Sequence, residues 1–289
     1  MDSSLISESR KRYHQSLVER KVLTLSGDGV ASNADSSNAP SKSIAKNIAD
    51  KLGADVAIKL KGQTAGTLFE QITMQFISDT FLQLQHIRPG EWTVLNLGNQ
   101  GVVKTSDFAQ YEHLAYLAQL MEQNKELCTM LGNDYMVAPD VVVYRSLYED
   151  AQINEGRVYI NDEVCRMASL RKSNGGKPIL HASISAKWTM RSDRAQNSRT
   201  EALNLIRNRK GHLPHIVVVT GEPLPSRLAS LALGTGDLDC VYHFALYELL
   251  DSVRECGRQG REDIIETLEN LIDGKRLKDI SDLPLDLCV

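Results

Sequence analysis

Apolar side chains recur at helical spacing along much of the chain. Within residues 66–84, for example, Phe69, Ile72 and Phe76 fall on one stripe with Glu70 beside it, as expected for a helix that buries one face. Residues able to cap a helix, such as Ser192, mark where others begin. The pattern predicts helices over residues 5–24, 44–52, 66–84, 107–130, 192–209, 226–233, 242–256 and 261–271.

A different pattern, with alternating or continuous apolar residues, predicts β-strands over residues 92–97, 137–144, 179–187 and 215–220. The last three are expected to form the core of one sheet. Because strands alternate with helices, the chain is predicted to form an α/β domain whose sheet is covered on both faces. Residues 25–43 are rich in Ser, Asn, Asp and Gly, which predicts a long, flexible loop or arm.

The composition excludes several classes of protein. Of the 289 residues, 42% are hydrophobic and 24% are charged, which is typical of a globular protein and not of a disordered or fibrous one. No segment approaches the roughly 18 apolar residues of a membrane helix, and the N-terminus lacks the apolar core of a signal peptide, so a cytoplasmic location is expected. The five cysteines include no close pair, which argues against disulfides and a zinc cluster.

Charge is unevenly distributed along the chain. The overall net charge of -4 is unfavourable for binding nucleic acid, because phosphate neutralisation requires Lys and Arg. Residues 166–210, however, contain eleven Lys and Arg against two Asp and Glu, a local net charge of +9, and the rest of the chain carries -13. A positive stripe on an acidic body is expected of a protein that holds DNA on one face, although a solvated basic surface would give the same pattern.

Two acids and a lysine stand where hydrolysis of a phosphodiester could occur. Lys187 ends the predicted strand that carries Ser185 on the same face. Asp140 opens another core strand, a costly position for a carboxylate unless it is paired or holds a metal, and Glu201 would lie on the helix after Lys187. Carboxylates that hold a hard cation such as Mg²⁺, with a group that orients water, meet the minimum for this reaction. Surface salt bridges are the structural alternative.

Between Lys187 and Glu201, the sequence Arg191-Ser192-Asp193-Arg194 falls at the predicted start of a helix, where side chains can point into a DNA major groove. Arginine is suited to donate to guanine O6 and N7, and aspartate can accept from cytosine N4. Two arginines and one aspartate could therefore read successive G·C pairs. An intrahelical ion-pair cluster with a capping serine is the alternative explanation.

Taken together, these residues resemble the CCGG-cutting branch of the PD-(D/E)xK restriction endonucleases. The resemblance spans residues 70–201 and implies a single α/β domain over residues 1–289, with a central mixed β-sheet flanked by helices. The residues and motifs that carry it are Glu70, Pro139-Asp140, Ser185-Ala186-Lys187, Arg191-Ser192-Asp193-Arg194 and Glu201.

The resemblance also implies a role for each catalytic residue. Asp140 and Glu201 would be ligands of Mg²⁺, with two ions expected per active site, and Glu70 would support this metal site. Lys187 would contact the scissile phosphate and the attacking water. Ser185 stands where many relatives have an acid, and Glu201 would supply that carboxylate from the helix.

For recognition, the resemblance implies that Arg191, Asp193 and Arg194 read the inner CCGG of a palindrome. A homodimer would then place one reader and one active site on each half of the target, and two dimers would pair into a homotetramer. A DNA methyltransferase that protects the same sequence is the expected functional partner.

A six-base target, expected to be GCCGGC, would need a further reader for the outer pair. Asp35 and Arg227 offer an acid and an arginine suited to a C·G pair, and Gln63 could reach a minor groove; each could also be an ordinary surface residue. Two other functions stay open at this point. One is a repair or junction-cutting nuclease with the same metal site, and the other is a non-catalytic DNA-binding protein.

Overall fold

A computed structural model describes residues 4–97, 104–124, 126, 129, 139–190, 192–234, 236–257 and 261–289, without the side chains of residues 192–194. Within these residues, six strands form one sheet in which sequence order and spatial order coincide. The strands are β1 (Trp92–Asn96), β2 (Val141–Arg145), β3 (Ile179–Lys187), β4 (His215–Thr220), β5 (Cys240–His243) and β6 (Leu277–Asp279).

The sheet is mixed, and its pairing brings Asp140 and Lys187 to the same end of two neighbouring strands. β1, β2 and β3 pair antiparallel, whereas β3, β4, β5 and β6 pair parallel. Lys187, the last residue of β3, is in register with Thr220 at the end of β4. Because β2 runs opposite to β3, its first residue, Val141, pairs with Ile184 near that same end, and Asp140 directly precedes it.

The helices pack around this sheet. Val141, Val142 and Val143 are all fully buried, although successive strand residues point to opposite faces, so both faces of β2 are covered. The predicted α/β class, with a central mixed sheet flanked by helices, is confirmed. The helices are α1 (Leu5–Glu19), α2 (Ala39–Lys51), α3 (Gly62–Thr80), α4 (His113–Gln123), α5 (Asp150–Ile153), α6 (Ser192–Asn208), α7 (Pro225–Ala232), α8 (Leu246–Gly257), α9 (Glu262–Asp273) and α10 (Leu283–Asp286).

The segment predicted as a loop over residues 25–43 differs from the prediction. Helix α2 already begins at Ala39, because the side chain of Asn38 accepts a backbone N–H of its first turn. Earlier in the segment, Asn33 is buried and its Nδ2 donates to the carbonyl oxygen of Gly221 at 2.7 Å. This part is therefore packed against the end of β4 rather than projecting as an arm.

The helix predicted over residues 107–130 is also interrupted. Two 3₁₀ turns, Thr105–Asp107 and Ala109–Tyr111, precede α4. The first residue of the second turn donates its N–H to the carbonyl oxygen of Pro178 at 2.9 Å, a contact with the start of β3 that local helical spacing could not reveal. Most of residues 125–138 lie outside the described residues, and with them the first part of the strand predicted from residue 137.

Near the C-terminus, the helix predicted over residues 242–256 is in fact the end of strand β5 followed by α8. All four residues of β5 are buried, and such a short apolar run has no period that distinguishes a strand from a helix. Strand β6 was not predicted. Among the described residues, no helix is both long and apolar enough to cross a membrane.

A buried cluster of ion pairs connects α1 to α8 and to the edge strand β6. The Arg10 guanidinium donates to both oxygens of Asp279 at 2.9 Å and to Glu248 at 2.6 and 2.9 Å, while the Asp279 side chain is fully buried. Burial alone would raise the pKa values of both carboxyls, but the hydrogen bonds and the charge of Arg10 outweigh burial and lower both.

Replacing Arg10 by Met is expected to lower the free energy of unfolding by about 3–5 kcal/mol, because it leaves a buried carboxylate without its partner. Since the pKa of Asp279 is lower in the folded state, this stabilisation is present above the unfolded pKa of about 4 and is lost as the pH falls through the folded pKa. Urea unfolding between pH 3 and pH 7 measures both effects.

The control for this experiment is Lys46→Ala, which removes an ion pair with Asp50 whose two side chains are about half exposed. An exposed pair at this spacing contributes only about 0.3–0.5 kcal/mol. An Arg10→Met variant no less stable than this control would show that the cluster does not support the fold.

Candidate active site

The centre of the candidate active site is an ion pair between two neighbouring strands. The Nζ of Lys187 lies 2.7 Å from Oδ2 of Asp140, and the backbone N–H of Ala186 donates to the same oxygen at 2.7 Å. Two donors at the end of β3 therefore fix the carboxylate that precedes β2. Both charged side chains stay partly exposed, at 21% for Lys187 and 17% for Asp140, so the pair is accessible to a substrate.

Two further acids face this pair across the same cleft. Glu70 comes from the middle of α3 and Glu201 from α6, and both line a cleft of about 1060 Å³ together with Asp140 and Lys187. We call it the catalytic cleft. Partial burial, together with the charge of Asp140, raises the pKa of Glu70 to about 7. The pKa of Glu201 is raised by burial and by Asp140, with Lys187 opposing the shift.

The donor chemistry of the catalytic cleft fits a hard divalent cation. Glu70, Asp140 and Glu201 supply only carboxylate oxygens, the ligand type that Mg²⁺ prefers. Burial is the main cause of the raised pKa values of Glu70 and Glu201, and a bound cation would favour the charged form of both carboxyls. Among the described residues, no three His, Cys, Asp or Glu side chains enclose a metal position by themselves. Mg²⁺ does not need such a cage, because it is usually held by one or two carboxylates, waters and substrate phosphates.

Ser185 lies beside the same carboxylate. Its Oγ is 3.5 Å from Oδ2 of Asp140 and 3.5 Å from Oγ of Ser198 on α6, so it contacts the site only weakly. Ser198 and Asn197 were not singled out from the sequence, although both lie within one helical turn of Glu201 and Asn197 lines the cleft. Their spacing from Glu201 was the signal that could have found them.

A second cleft adjoins the first, and residues of the candidate outer reader line it. Asp35 and Arg227 form an ion pair there through Oδ2 and Nη2, 192 residues apart in sequence. Hydrogen bonds from Ser37, followed by the contact with Arg227, lower the pKa of Asp35 to about 2, so the pair is ionised. We call this the recognition cleft; Gly62, Gly66 and Trp188 line both clefts.

The remaining predicted readers are described only in part. Arg191 lies outside the described residues, and Asp193 and Arg194 fall in the first turn of α6 without described side chains. Gln63 lies in the first turn of α3 and lines the catalytic cleft rather than the recognition cleft.

Glu222 is a charged residue near the recognition cleft that sequence reasoning missed. Its side chain is buried, with 1% exposed, and Oε2 accepts the N–H of Met190 at 3.0 Å. It also lies 3.7 Å from Nη1 of Arg227. The signal was available, because Glu222 follows a core strand by two residues, much as Asp140 precedes one.

Gly221 makes room for the ring of Trp188, a residue that lines both clefts. A Cβ at this position would lie 2.5 Å from Cε3 and 2.7 Å from the carbonyl oxygen of Trp188. The ring cannot easily yield, because it packs between Phe69 and Phe244 with ring centroids 5.1 and 5.2 Å away. Only glycine fits here without moving the residue that directly follows Lys187.

The Gly221→Ala variant is expected to lose about 1–3 kcal/mol of stability through overpacking, and to lose catalytic activity because Lys187 is displaced. Thermal unfolding and single-turnover kinetics measure the two effects. Gly27→Ala is the matched control, since no atom lies within 4 Å of its Cβ position. Equal behaviour of the two variants would contradict the proposed close packing.

The chain is similar in sequence to known restriction enzymes. The chain matches the family model described as NgoMIV restriction enzyme over residues 13–289. It is 51% identical over 286 residues to the type II restriction enzyme NgoMIV of Neisseria gonorrhoeae, with 99% of each chain covered. A search of solved structures found the type IIF restriction endonuclease Bse634I with cognate DNA, at 15% identity, a TM-score of 0.38 and coverage of 90% of this chain and 92% of that one.

The family match and the relative both extend over nearly the whole chain, well beyond the residues that carried the resemblance in the sequence. The chain therefore belongs to the NgoMIV restriction enzyme family and is a type II restriction endonuclease, a site-specific deoxyribonuclease.

Proposed function

We propose that the chain is a single-domain, Mg²⁺-dependent endonuclease that cuts both strands of DNA at a palindrome containing CCGG, expected to be GCCGGC. The products would carry 5′-phosphate and 3′-hydroxyl ends. The observation that carries the proposal is the convergence of Glu70, Asp140, Lys187 and Glu201 on one cleft. The adjoining cleft with its Asp35–Arg227 pair supports base reading beside the chemistry.

In this proposal, the protein positions the reactants and the cation supplies charge. Bound Mg²⁺ would stabilise negative charge on the phosphate and favour ionisation of the attacking water. Asp140, fixed by two donors, and Glu201 would hold the cation, with Glu70 supporting them. Lys187 Nζ keeps donors to spare beside Asp140, and it would orient the attacking water and contact a scissile-phosphate oxygen. Two ions per active site are proposed, as in other two-metal nucleases.

Recognition is assigned to the residues next to this chemistry. Arg191, Asp193 and Arg194 would read the inner CCGG from the start of α6, because arginine suits guanine and aspartate suits cytosine. Arg227 and Asp35 would read the outer pair in the same way. Gln63 would contact the minor groove from the first turn of α3, and its position in the catalytic cleft keeps it near the scissile strand.

The symmetry of a palindrome supports a homodimer, since the described residues of one chain supply one such catalytic constellation and both strands must be cut. Two dimers are proposed to assemble into a tetramer that engages two sites, and sedimentation of the protein with and without target DNA tests this. A methyltransferase of the same sequence specificity is the proposed functional partner. The cytoplasmic location stays a prediction.

Digestion of plasmid DNA of known sequence tests the proposed function. Discrete fragments that map to GCCGGC, and that disappear when Mg²⁺ is chelated, are expected. Diffuse or structure-dependent cutting would instead favour a repair or junction-cutting nuclease, and binding without cutting would favour a non-catalytic DNA-binding protein.

Cation binding can also be measured without cleavage. Mg²⁺ at about one hundred times its Kd is expected to stabilise the folded protein by about 2.7 kcal/mol for each ion bound. The Asp140→Asn variant should show a smaller gain, because a charged ligand is lost. Calorimetric titration of the wild type counts the ions. An equal gain in both proteins would mean that the cation binds elsewhere.

A further inference from the structure

Glu222 is a buried carboxylate at the junction of the two predicted readers. It follows β4 by two residues, and both of its oxygens are held by backbone amides. Oε2 accepts from Met190 N–H at 3.0 Å and Oε1 from Leu224 N–H at 3.2 Å. Burying a carboxylate is costly unless it is both hydrogen-bonded and paired with an opposite charge, and the two amides supply hydrogen bonds but no charge.

Arg227 connects this carboxylate to the recognition cleft. Its Nη1 lies 3.7 Å from Oε2 of Glu222 and donates to the carbonyl oxygen of Met190 at 3.3 Å, while Nη2 pairs with Asp35. Met190 directly precedes Arg191 in sequence. The guanidinium therefore touches the segment of the inner reader and the partner acid of the outer reader at once.

Reading a base pair would disturb the contact of Arg227 with Asp35 but not its contact with Glu222. If Arg227 donates to guanine and Asp35 accepts from cytosine, their mutual ion pair must open or be shared. Glu222 lies on the other side of the guanidinium, where no base can reach a side chain that is 1% exposed. It would remain as the counter-charge that keeps Arg227 aligned.

The same residue is linked to the catalytic strand. Its backbone N–H donates to Oγ1 of Thr220 at 3.2 Å, and that hydroxyl donates to the carbonyl oxygen of Lys187 at 2.9 Å. A short chain of hydrogen bonds thus joins the end of β3 to Glu222, whose carboxylate accepts from the Met190 N–H and faces Arg227.

We propose that Glu222 is a positioning residue that holds Arg227 and the Met190 backbone in one arrangement, so that the outer base pair and the inner CCGG are read as a unit. This inference rests on the proposed six-base recognition. It gives Glu222 no contact with DNA, and it predicts that loss of its charge relaxes specificity at the outer pair first.

Titration of this carboxyl provides a second readout. Burial raises the pKa of Glu222 to about 7, with hydrogen bonds from Met190 and Leu224 and the charge of Arg227 opposing the shift and Asp35 adding to it. Asp35 and His243, the other titratable groups that the described residues place near it, do not change charge between pH 6 and pH 8, because the pKa of Asp35 is about 2 and that of His243 about 4. Acidification from pH 8 to pH 6 therefore protonates Glu222.

The test compares cleavage rates on two duplexes, one with GCCGGC and one with ACCGGT, and takes their ratio as the selectivity. In Glu222→Gln the selectivity is expected to fall at least tenfold, because the uncharged amide holds Arg227 poorly. In the wild type it should fall as the pH drops from 8 to 6, whereas in the variant it should not depend on pH. Glu70 also has a pKa of about 7, so its protonation changes the rate of the chemical step. This change cancels in the ratio of the two rates, because both duplexes are cut at the same active site.

Asp279→Asn is the matched control. Asp279 is also a buried carboxylate that holds an arginine, Arg10, and a backbone N–H, that of Leu246. Arg10 lines neither cleft, whereas Arg227 lines the recognition cleft. The selectivity of the Asp279→Asn variant should equal that of the wild type at a temperature where both proteins are folded. A comparable loss in this control would mean that loosening of the fold, and not Glu222, relaxes specificity.

The possible failures are distinguishable. A wild type that cuts both duplexes equally would overturn the proposed outer reading and with it this inference. A selective wild type with an equally selective Glu222→Gln variant would overturn the inference alone. Should that variant not fold, a wild-type selectivity that is flat from pH 8 to pH 6 would overturn it as well.

Discussion

Replacing Asp140 by Asn is expected to slow DNA cleavage by about 10²–10³-fold while leaving binding to the target intact. The magnitude is that of removing one group that stabilises transition-state charge. Asparagine has the same shape and can still accept the N–H of Ala186, which lies 2.7 Å from Oδ2 in the native site, so the fold should be preserved. What is lost is the negative charge that would hold the cation.

Lys187→Ala should give a similar loss for a different reason. It removes the ammonium group that would contact the phosphate and the water, but it leaves Asp140 fixed by the Ala186 amide. Single-turnover cleavage of an end-labelled duplex measures the chemical step, and fluorescence anisotropy measures binding. Affinity of Asp140→Asn should be unchanged or higher, because a carboxylate no longer repels DNA phosphates.

The control is Asp79→Asn, an acid that lines the same cleft and whose hydrogen bond among the described residues stays within α3, to Gln75. It should cut at the wild-type rate. Cleavage by Asp140→Asn at that rate would remove Asp140 from the chemistry, whereas loss of binding would mean that its role is structural.

Where the sequence succeeded, the information was local. The strand over residues 179–187 was predicted with its observed bounds, because its apolar face alternates with a polar one that ends in Lys187. The approach of Asp140 to Lys187 needed only the antiparallel pairing of β2 with β3. Local pattern and one pairing were therefore enough to place the centre of the candidate site.

Where the sequence failed, distant contacts decided the structure. The interruption of the helix over residues 107–130 depends on a hydrogen bond to Pro178. The partners of Glu222 include Met190, 32 residues earlier, and Arg227, whose own partner Asp35 is 192 residues from it. The spacing of apolar residues along the chain does not reveal such distant contacts. From the sequence alone, Glu222 therefore cannot be distinguished from any other charged residue.

Changing Arg191 or Arg194 to Lys is expected to abolish selective binding to the target while leaving binding to other DNA nearly unchanged. Lysine keeps the positive charge, which governs affinity for any sequence, but it lacks the planar fork that donates twice to guanine. Each bidentate contact contributes about 1–3 kcal/mol of discrimination. A dimer on a palindrome loses it twice, so about 2–6 kcal/mol is expected per duplex.

Competition binding at fixed salt, with target and non-target duplexes, measures this loss. Arg199→Lys is the matched control on the same helix, because Arg199 pairs with Asp237 and lines neither cleft. The substitution keeps the positive charge, so this variant should bind DNA as the wild type does. If Arg194→Lys still prefers the target, base reading is not carried by that arginine. If it loses affinity for both duplexes equally, the arginine contacts phosphate, and selectivity must come from other residues, with the Arg227–Asp35 pair the first to test. On target DNA at saturating concentration, Arg191→Lys and Arg194→Lys should cleave at close to the wild-type rate, because Lys187 and Asp140 are unchanged. This result would separate base reading from chemistry within residues 187–201.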